Sequence, residues 1–231
     1  MIKINNLNFR YNKEQKVLNN INLEISDGET VGVIGANGAG KSTFLKLLVG
    51  LLTDYDGEIF IDDIKMEKKN LNKIRSKVGF VFQDSEAQLF MSTVYDDVAF
   101  GPRNMGITGE ELDRRVMDAL RQVGIEDLKD RQIYRMSGGQ KKLASIATIL
   151  SMKPSIILLD EPSIALDPKN RRNLIKVLND MPGTKIIASH DLELIGKTCQ
   201  KVVFIDDGSI FYMGETKHIV DDEKLLQEHG L

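Results

Sequence analysis

The sequence predicts an α/β fold with a mostly parallel central sheet, an antiparallel β subdomain at the N-terminus and an inserted α-helical subdomain. Three observations support this prediction. Short apolar stretches typical of strands alternate with amphipathic helical stretches along most of the 231 residues. Residues 156–159 are all apolar, which is typical of a strand buried on both faces of a parallel sheet. Between 84 and 150 the pattern is helical, so we expect one domain over 1–231 with a helical subdomain inserted at 84–150.

The antiparallel β subdomain is predicted from two alternating stretches near the N-terminus. Ile2, Ile4 and Leu7 belong to the first stretch, and the second has its apolar residues between 17 and 25. The polar residues 11–15 between the two stretches are suited to a turn. We therefore expect the two stretches to pair as an antiparallel hairpin.

The same patterns predict the elements that follow. Residues 30–34 form a short apolar strand that leads into glycine-rich chain, and the spacing of Phe44, Leu47 and Leu51 places a helix after it. Further strands are expected at 58–61, 78–82, 155–159, 185–188 and 201–205. Apolar stripes predict two helices, one from about Gly109 with Leu112, Val116, Leu120 and Val123, and one with Leu143, Ile146, Ala147 and Leu150. The polar residues 215–231 are expected to form a short terminal helix or a frayed tail.

Composition and charge exclude several classes of protein. The 31 Lys and Arg residues and 34 Asp and Glu residues leave a net charge of -3, whereas nucleic-acid-binding proteins usually carry a basic excess. The single cysteine, Cys199, excludes an internal disulfide and a cysteine-cluster metal site. No apolar run reaches the ~18 residues of a membrane helix, and the first residues are unlike a secretory signal. We therefore expect a soluble cytoplasmic protein that does not bind nucleic acid.

A glycine-rich stretch after the third strand predicts a phosphate-binding loop. It reads Gly35-Ala36-Asn37-Gly38-Ala39-Gly40-Lys41-Ser42-Thr43 and matches G-x-x-x-x-G-K-[ST] completely. Glycine lets successive backbone N–H groups turn toward an anionic phosphate chain, and the helix that follows directs its first N–H groups at the same phosphates. We expect Lys41 to bridge the β- and γ-phosphates and the Ser42 hydroxyl to bind Mg²⁺. The loop therefore predicts a P-loop NTPase core.

Two carboxylates complete the predicted site. Asp160 and Glu161 directly follow the apolar strand 156–159, and nucleotides bind at the carboxyl ends of central strands in open α/β sheets. We expect Asp160 to hold Mg²⁺, directly or through its water, and Glu161 to polarise the attacking water. Without the phosphate loop, the simpler interpretation would be a polar end to a strand.

With these residues in place, the sequence resembles the ATP-binding cassette (ABC) ATPases over essentially the whole chain. The resemblance rests on an ordered set of motifs: 35–43, Gln83, Ser137-Gly138-Gly139-Gln140, Asp160-Glu161, Leu166-Asp167 and His190. The resemblance implies hydrolysis of ATP to ADP and phosphate, with Lys41, Gln83, Glu161 and His190 as the catalytic residues. The implied nucleotide contacts are Tyr11, Gly35, Asn37, Gly38, Ala39, Gly40, Lys41, Ser42, Thr43, Ser137, Gly138, Gly139, Gln140 and Asp167, and the implied Mg²⁺ ligands are Ser42, Gln83 and Asp160.

The resemblance also implies a dimer. The helix end at Ser137-Gly138-Gly139-Gln140 would clamp the γ-phosphate of ATP bound to a second subunit, so that two chains enclose two ATP molecules head to tail. Tyr11 would stack on adenine, Gln83 would contact Mg²⁺ and water, His190 would contact the γ-phosphate, and Asp167 would lie at the dimer seam. Simpler interpretations stay open: Tyr11 could cover the hairpin, Gln83 could be a solvated strand end, His190 could flank a helix, and Asp167 could begin one.

The stretch 82–102 is similar to the ATPase component of energy-coupling-factor transporters, which take up cobalt, nickel, biotin and other vitamins. Gln88-Leu89-Phe90 and the run of residues 97–102, Asp-Val-Ala-Phe-Gly-Pro, are typical of that branch. This resemblance implies a peripheral protein on the cytoplasmic face of the cell membrane. Its partners would be a second ABC ATPase subunit, a transmembrane coupling protein and a small-substrate-binding membrane protein. Leu89, Phe90 and Met91 could dock that coupling protein, or could anchor the helical subdomain.

Two other functions stay open at this point. A non-transport ABC ATPase could act mechanically on nucleic acid or the ribosome, but the single cassette and the net charge of -3 count against this. A nucleotide-gated module without turnover is disfavoured because Lys41, Gln83, Asp160, Glu161 and His190 are all present.

Overall fold

The computed structural model describes residues 1–12 and 15–231. Its strands are β1 (Ile2–Arg10), β2 (Lys16–Ile25), β3 (Thr30–Ile34), β4 (Asp56–Ile61), β5 (Ile64–Lys65), β6 (Val78–Val81), β7 (Ile156–Asp160), β8 (Thr184–Ala188), β9 (Lys201–Asp206) and β10 (Ser209–Glu215). Its α-helices are α1 (Lys41–Leu48), α2 (Leu71–Arg75), α3 (Val94–Asn104), α4 (Gly109–Val123), α5 (Gly138–Leu150), α6 (Pro168–Asp180), α7 (Leu192–Thr198), α8 (Lys217–Val220) and α9 (Glu223–Glu228). Short 3₁₀ turns lie at Lys68–Asn70, Ser85–Ala87, Glu126–Leu128 and Ile133–Arg135.

Strands β1 and β2 form the predicted antiparallel hairpin. Ile2 pairs with Ile25 and Ile4 with Leu23, and all four side chains are buried. The predicted turn at 11–15 includes residues 13 and 14, which lie outside the described residues. Strands β4 and β5 extend the hairpin in the order β2-β1-β4-β5, so the predicted antiparallel β subdomain is confirmed.

The central sheet is mostly parallel, as predicted. Its order is β10-β9-β3-β8-β7-β6, in which β10 alone pairs antiparallel, at the edge. Every residue of β3, β7 and β8 is buried, which explains the apolar runs at 31–34, 156–159 and 186–188 within these strands. Parallel strands present their carboxyl ends at one edge of the sheet, so the segments that follow β3, β6, β7 and β8 meet there.

Helices α3, α4 and α5 follow β6 and precede β7, and they form the predicted helical insertion. The predicted stripe on α4 is buried at Leu112, Val116, Leu120 and Val123. Helix α5 packs directly on β6 at Gly79. A side chain at this position would not fit, since its Cβ would lie 2.2 Å from Ile149 Cγ2. The limits 84–150 for a separate subdomain stay a prediction.

The observed elements differ from the predicted ones near the C-terminus. No strand is predicted at 209–215, where β10 lies, because its residues are alternately half-buried and exposed and its register comes from pairing with β9. Helices α6 and α7 are also absent from the periodicity prediction. Of the two forms expected for the tail, the structure shows the helical one, as the two short helices α8 and α9, because Ile219 and Leu226 are buried against the core.

Among the residues that the structure describes, none of the helices combines the length and the apolar character that crossing a bilayer would require.

Candidate active site

The glycine-rich loop encloses a cavity at the carboxyl edge of the central sheet. Gly35 and Gly40 have φ angles of 149° and 105°, and a Cβ on Gly35 would lie 2.2 Å from the carbonyl oxygen of Ile205. The loop therefore requires glycine where it turns from β3 into α1. The cavity has a volume of about 310 Å³, and its lining comprises Tyr11, Gln15, Val17, Asn37, Gly38, Gly40, Lys41, Ser42, Thr43, Gln83 and Glu161.

Lys41 begins helix α1 with its side chain folded back into the loop. The ammonium group donates hydrogen bonds to the carbonyl oxygens of Gly35, at 2.6 Å, and Ala36, at 3.1 Å. Burial lowers the pKa of Lys41, and the negative charges of Glu161 and Asp160 oppose that shift. The loop thus holds one cation beside the backbone N–H groups at the start of α1, which is the arrangement that anionic phosphates require.

Ser42 and Asp160 meet although 118 residues separate them in the chain. The Ser42 hydroxyl donates to Asp160 Oδ1 at 2.8 Å, across from α1 to the end of β7. Burial raises the pKa of Asp160, and the hydrogen bond from Ser42 opposes the rise. Two of the three predicted Mg²⁺ ligands are therefore in contact, and their hydroxyl and carboxylate oxygens are a ligand type that Mg²⁺ prefers.

Glu161 is held by the segment that follows β8. Its φ angle is +48°, and its backbone N–H donates to the carbonyl oxygen of Ala188 at 2.8 Å. The Ser189 hydroxyl donates to Oε2 at 3.0 Å and the His190 N–H to Oε1 at 3.2 Å, while His190 Nδ1 lies 2.9 Å from Oε2. The carboxylate is buried at the cavity, whereas 56% of the His190 side chain is exposed. The structure thus brings Glu161 and His190, two of the four predicted catalytic residues, into direct contact.

Gln83 lines the same cavity from the end of β6. Its carbonyl oxygen accepts a hydrogen bond of 2.7 Å from the ammonium group of Lys142, on helix α5. Sequence reasoning did not single out Lys142 as a functional residue. Its position in the helix could have indicated a role. Lys142 lies on the same face of α5 as the buried Ile146 and Ile149, and a lysine on such an apolar face is exceptional.

Tyr11 lies at the mouth of the cavity. Its hydroxyl is 3.0 Å from Thr43 Oγ1, its ring meets that of Phe9 edge to face, and 52% of the residue is exposed. This placement is compatible with stacking on adenine and with covering the hairpin, so the predicted role stays a prediction. Gln15 and Val17 also line the cavity, whereas the sequence pattern predicts only that they belong to the hairpin.

The Ser137-Gly138-Gly139-Gln140 motif does not belong to this cavity's lining. It begins α5 with reciprocal hydrogen bonds: Ser137 Oγ accepts from the Gln140 N–H, and Gln140 Oε1 accepts from the Ser137 N–H. Gly138 and Gly139 lie against Ala165 and Leu166. Within one chain the structure therefore keeps the second predicted anion-binding helix end apart from the loop that holds Lys41.

Asp167 also serves as a helix cap. Its carboxylate accepts hydrogen bonds from the Asn170 N–H at 2.8 Å and the Asn170 side chain at 2.9 Å, at the start of α6. The simpler interpretation of Asp167 as a helix start thus describes its contacts, and its place at a dimer seam stays a prediction. Asp191, after His190, caps α7 in the same way.

The comparisons with known proteins agree with this geometry. The model of the ABC transporter family matches residues 18–164. An energy-coupling factor transporter ATP-binding protein, EcfA2, of Clostridium acetobutylicum is 40% identical over 242 residues, covering 100% of this chain and 85% of that protein. A putative ABC transporter ATP-binding protein of Geobacter sulfurreducens is 44% identical over 226 residues, covering 98% of this chain and 91% of that protein.

Two solved structures have closely similar folds. CbiO1 of Clostridium perfringens, part of the ABC transporter complex cbiONQ, superposes with a TM-score of 0.86 at 35% identity, over 98% of this chain and 93% of CbiO1. The ATP-binding cassette MJ0796, a dimer bound to ADP and Pi after hydrolysis, superposes with a TM-score of 0.85 at 29% identity. The match covers 94% of this chain and 99% of the MJ0796 chain. The resemblance predicted from the motifs and the predicted fold class are both confirmed. The chain belongs to the ATP-binding cassette family of ABC transporter ATPases.

Proposed function

We propose that the chain is the ATP-hydrolysing subunit of an energy-coupling-factor type importer that takes up a metal ion or a vitamin. The observation that carries the proposal is the convergence of Lys41, the Ser42–Asp160 pair and Glu161 around one cavity. The relatives named energy-coupling factor ATP-binding proteins, at 40–41% identity over the whole chain, support the branch.

Mg²⁺ fits the residues at this site. Ser42 Oγ and Asp160 Oδ1 are oxygen donors 2.8 Å apart, and Gln83 adds an amide at the same cavity. No group of three or more His, Cys, Asp or Glu residues in 1–12 and 15–231 could hold a metal ion. A site with few protein ligands suits Mg²⁺, which is usually bound by one or two carboxylates together with substrate phosphates. When bound, the ion neutralises charge on the β- and γ-phosphates.

Hydrolysis follows from the placement of charge. The backbone N–H groups of the loop and the Lys41 ammonium bind the β- and γ-phosphates and offset their charge as the terminal bond breaks. Glu161 orients the attacking water and accepts its proton. Ser189 and His190 fix the direction of that carboxylate through their hydrogen bonds to it. The exposed side of His190 is free to contact the γ-phosphate.

A second subunit completes the site in this proposal. The loop at Lys41 and the helix end at Ser137 lie apart in one chain, so one chain cannot supply both anion-binding ends to one phosphate. A head-to-tail pair of chains, with Asp167 near the seam, brings the helix end of each to the loop of the other. The dimeric cassette MJ0796 supports this assembly.

A groove beside Gln83 supports a membrane partner. It has a volume of about 760 Å³, and its apolar lining includes Phe82, Phe90, Phe100 and Met105. Phe90 is 64% exposed. At its base, Asp97 Oδ1 accepts hydrogen bonds from the N–H groups of Phe90 and Met91, while buried Oδ2 has no hydrogen-bond partner among the described residues. A helix with an apolar face and one donor side chain fits this groove.

The proposal places the protein at the cytoplasmic face of the membrane, as a peripheral subunit held by a transmembrane coupling protein. That complex would include a small-substrate-binding membrane protein, which receives the cargo. CbiO1, described as part of the cbiONQ complex, supports an assembly of this kind.

Glu161→Gln tests the hydrolytic role. The amide keeps the volume and the hydrogen bonds at Oε1 but cannot accept a proton from water, so we expect ATP hydrolysis to fall about tenfold or more. ATP binding is retained, and ATP should shift the variant from monomer to dimer in size-exclusion chromatography. Steady-state phosphate release provides the rate.

The matched control is Glu110→Gln on the exposed face of α4, which should hydrolyse ATP at the wild-type rate. Unchanged turnover in Glu161→Gln would contradict the assigned role. A variant that binds ATP yet stays monomeric would contradict the dimer.

A further inference from the structure

Lys142 connects helix α5 to the loop that carries Gln83. Only 2% of the residue is exposed. Its ammonium group donates to the carbonyl oxygens of Gln83, at 2.7 Å, and Phe82, at 3.0 Å. A buried ammonium group is costly unless it is hydrogen bonded, and the two carbonyls would lose this shared donor if Lys142 were absent. The Lys142 ammonium and the two carbonyl oxygens therefore depend on one another for their hydrogen bonds.

The surroundings of Lys142 place it within the electrostatic reach of the reacting centre. Burial lowers the pKa of Lys142, while the negative charges of Asp160, Asp84 and Glu161 oppose that shift. Two of these carboxylates are those predicted to hold Mg²⁺ and to orient water. A displacement of Lys142 therefore changes both the position of Gln83 and the potential at that pair.

Gln88 forms a second connection between the same two segments. Its side-chain oxygen accepts from the Phe82 N–H at 3.0 Å, and its amide donates to the Ser145 carbonyl at 2.7 Å and to Thr148 Oγ1 at 2.8 Å. Both sides of Phe82 in the backbone are thus held to α5, one through Lys142 and one through Gln88. The loop and the helix are consequently coupled more tightly than packing alone would require.

The other end of this connection is the start of α5. Ser137 caps the helix five residues before Lys142, which is about 7.5 Å along a helix that rises about 1.5 Å per residue. In the dimer proposed above, Gln83 faces the nucleotide of its own chain, whereas the helix end at Ser137 faces the nucleotide of the partner. Lys142 is the short path between these two sites.

We propose that Lys142 is a positioning residue that makes the Gln83 loop and helix α5 move together, so that ATP in one site sets the geometry of the helix end that completes the other. The inference rests on the proposed function, because it requires the head-to-tail dimer. It assigns the cooperativity between the two ATP sites to a hydrogen-bonded lysine. Coupling free energies between two binding sites typically change affinity by about 5- to 150-fold.

The test compares three variants with wild type in steady-state hydrolysis over a range of ATP concentrations. Lys142→Met removes the donor and keeps the apolar stem, Lys142→Arg keeps a donor of the same charge, and Lys141→Met is the matched control. Lys141 is the preceding residue on α5, and its ammonium pairs with Glu86, whose side chain is 71% exposed, so solvent screens this pair far more than it screens the buried contacts of Lys142. Binding of a fluorescent ATP analogue to dilute, monomeric chain is measured for each, together with thermal unfolding.

The proposal predicts that the loss of Lys142 affects catalysis and cooperativity but not nucleotide binding to the monomer. Lys142→Met should bind the analogue within about twofold of wild type, while kcat falls about tenfold and the Hill coefficient falls from near 2, the number of sites, toward about 1. Lys142→Arg should recover most of the rate and the Hill coefficient, and Lys141→Met should match wild type. If Lys142→Met does not fold, Lys142→Gln, which carries no charge and has a shorter reach, is held to the same expectation.

A merely structural lysine gives a different result. If Lys142→Met unfolds at a lower temperature but keeps the wild-type Hill coefficient, or keeps both kcat and the Hill coefficient, the inference is overturned while the ATPase dimer stands. If the wild-type chain hydrolyses ATP without cooperativity and at the same specific rate on dilution, the dimer itself is overturned, and this inference with it.

Discussion

Individual residues at the candidate site are held in states that the rest of the fold must stabilise. Lys41 and Asp160 are buried charged groups, and Glu161 adopts a left-handed backbone conformation that costs a non-glycine residue about 1–3 kcal/mol. The hydrogen bonds from Ser42, Ser189 and the His190 N–H offset part of this cost. Such costs are typical of a site that is organised before its ligand arrives.

Asp160→Asn gives a prediction with a defined sign. Because burial raises the pKa of Asp160, the folded chain keeps this proton to higher pH than the unfolded chain does. Stability therefore falls as pH rises from the ordinary carboxyl pKa of about 4 through the raised value, and stays reduced above it. Asparagine carries no charge and still accepts from Ser42, so the nucleotide-free variant should melt at a higher temperature than wild type at neutral pH.

The difference in Tm between Asp160→Asn and wild type should shrink as the pH falls toward about 4 and disappear below about pH 3, where the carboxyl is protonated in both the folded and the unfolded state. Each kcal/mol corresponds to about 2–4 °C for a chain of this size. Thermal unfolding followed by circular dichroism at two pH values checks this. The exposed Asp54→Asn is the control and should give the same small difference at both. A lower Tm for Asp160→Asn at neutral pH would refute the argument.

At the scale of elements, helix starts organise the site. Helix α1 begins at Lys41, α5 is capped by Ser137, α6 by Asp167 and α7 by Asp191, directly after His190. The motifs at Lys41, Ser137 and Asp167 thus each also begin a helix, and the sequence pattern cannot separate this structural role from a chemical one. The close packing of α5 on β6 sets the distance between the capped helix end and the Gln83 loop.

Gly79 tests that packing. In Gly79→Ala the new Cβ would lie 2.2 Å from Ile149 Cγ2 and 3.0 Å from Pro154 Cγ, so α5 has to move off β6. We expect a loss of about 1–3 kcal/mol in the free energy of unfolding, measured by denaturant titration. The control Gly196→Ala lies in α7, where the Cβ meets Val220 at an ordinary 3.5 Å. It should gain about 0.5–1 kcal/mol, since alanine favours a helix. Equal effects at both positions would contradict the close approach.

At the scale of the whole molecule, the insertion of three helices between β6 and β7 leaves two separate depressions on the surface. One is the cavity at the carboxyl edge of the sheet, and the other is the groove at Phe90. Gln83 lines the cavity and its neighbour Phe82 lines the groove, so under the proposed function a partner in the groove and a nucleotide in the cavity act on the same short segment.

Phe90→Asp tests the groove as the membrane-docking surface. A charge on the exposed ring position opposes burial against an apolar helix, so the tagged variant should leave the membrane fraction of cells that contain the transporter. Hydrolysis by the purified variant should stay close to wild type. Phe211→Asp is the matched control, because Phe211 is also exposed and also packs against another aromatic ring, at the β10 edge. Phe211→Asp should sediment with membranes, and release of both variants would argue against a specific groove.

The sequence by itself determined the α/β class, the phosphate-binding loop, the helical insertion and the family, because these depend on local patterns: apolar runs, helical stripes and glycines at fixed spacing. The strand β10, and the choice between a short helix and a frayed tail at the C-terminus, came only from the tertiary structure, because these segments are ordered by contacts with β9 and the core rather than by their own periodicity. Contacts between distant residues were likewise decided by the fold. Ser42 reaches Asp160, and Lys142 reaches the carbonyl of Gln83, because parallel strands bring loops from separate parts of the chain to one edge.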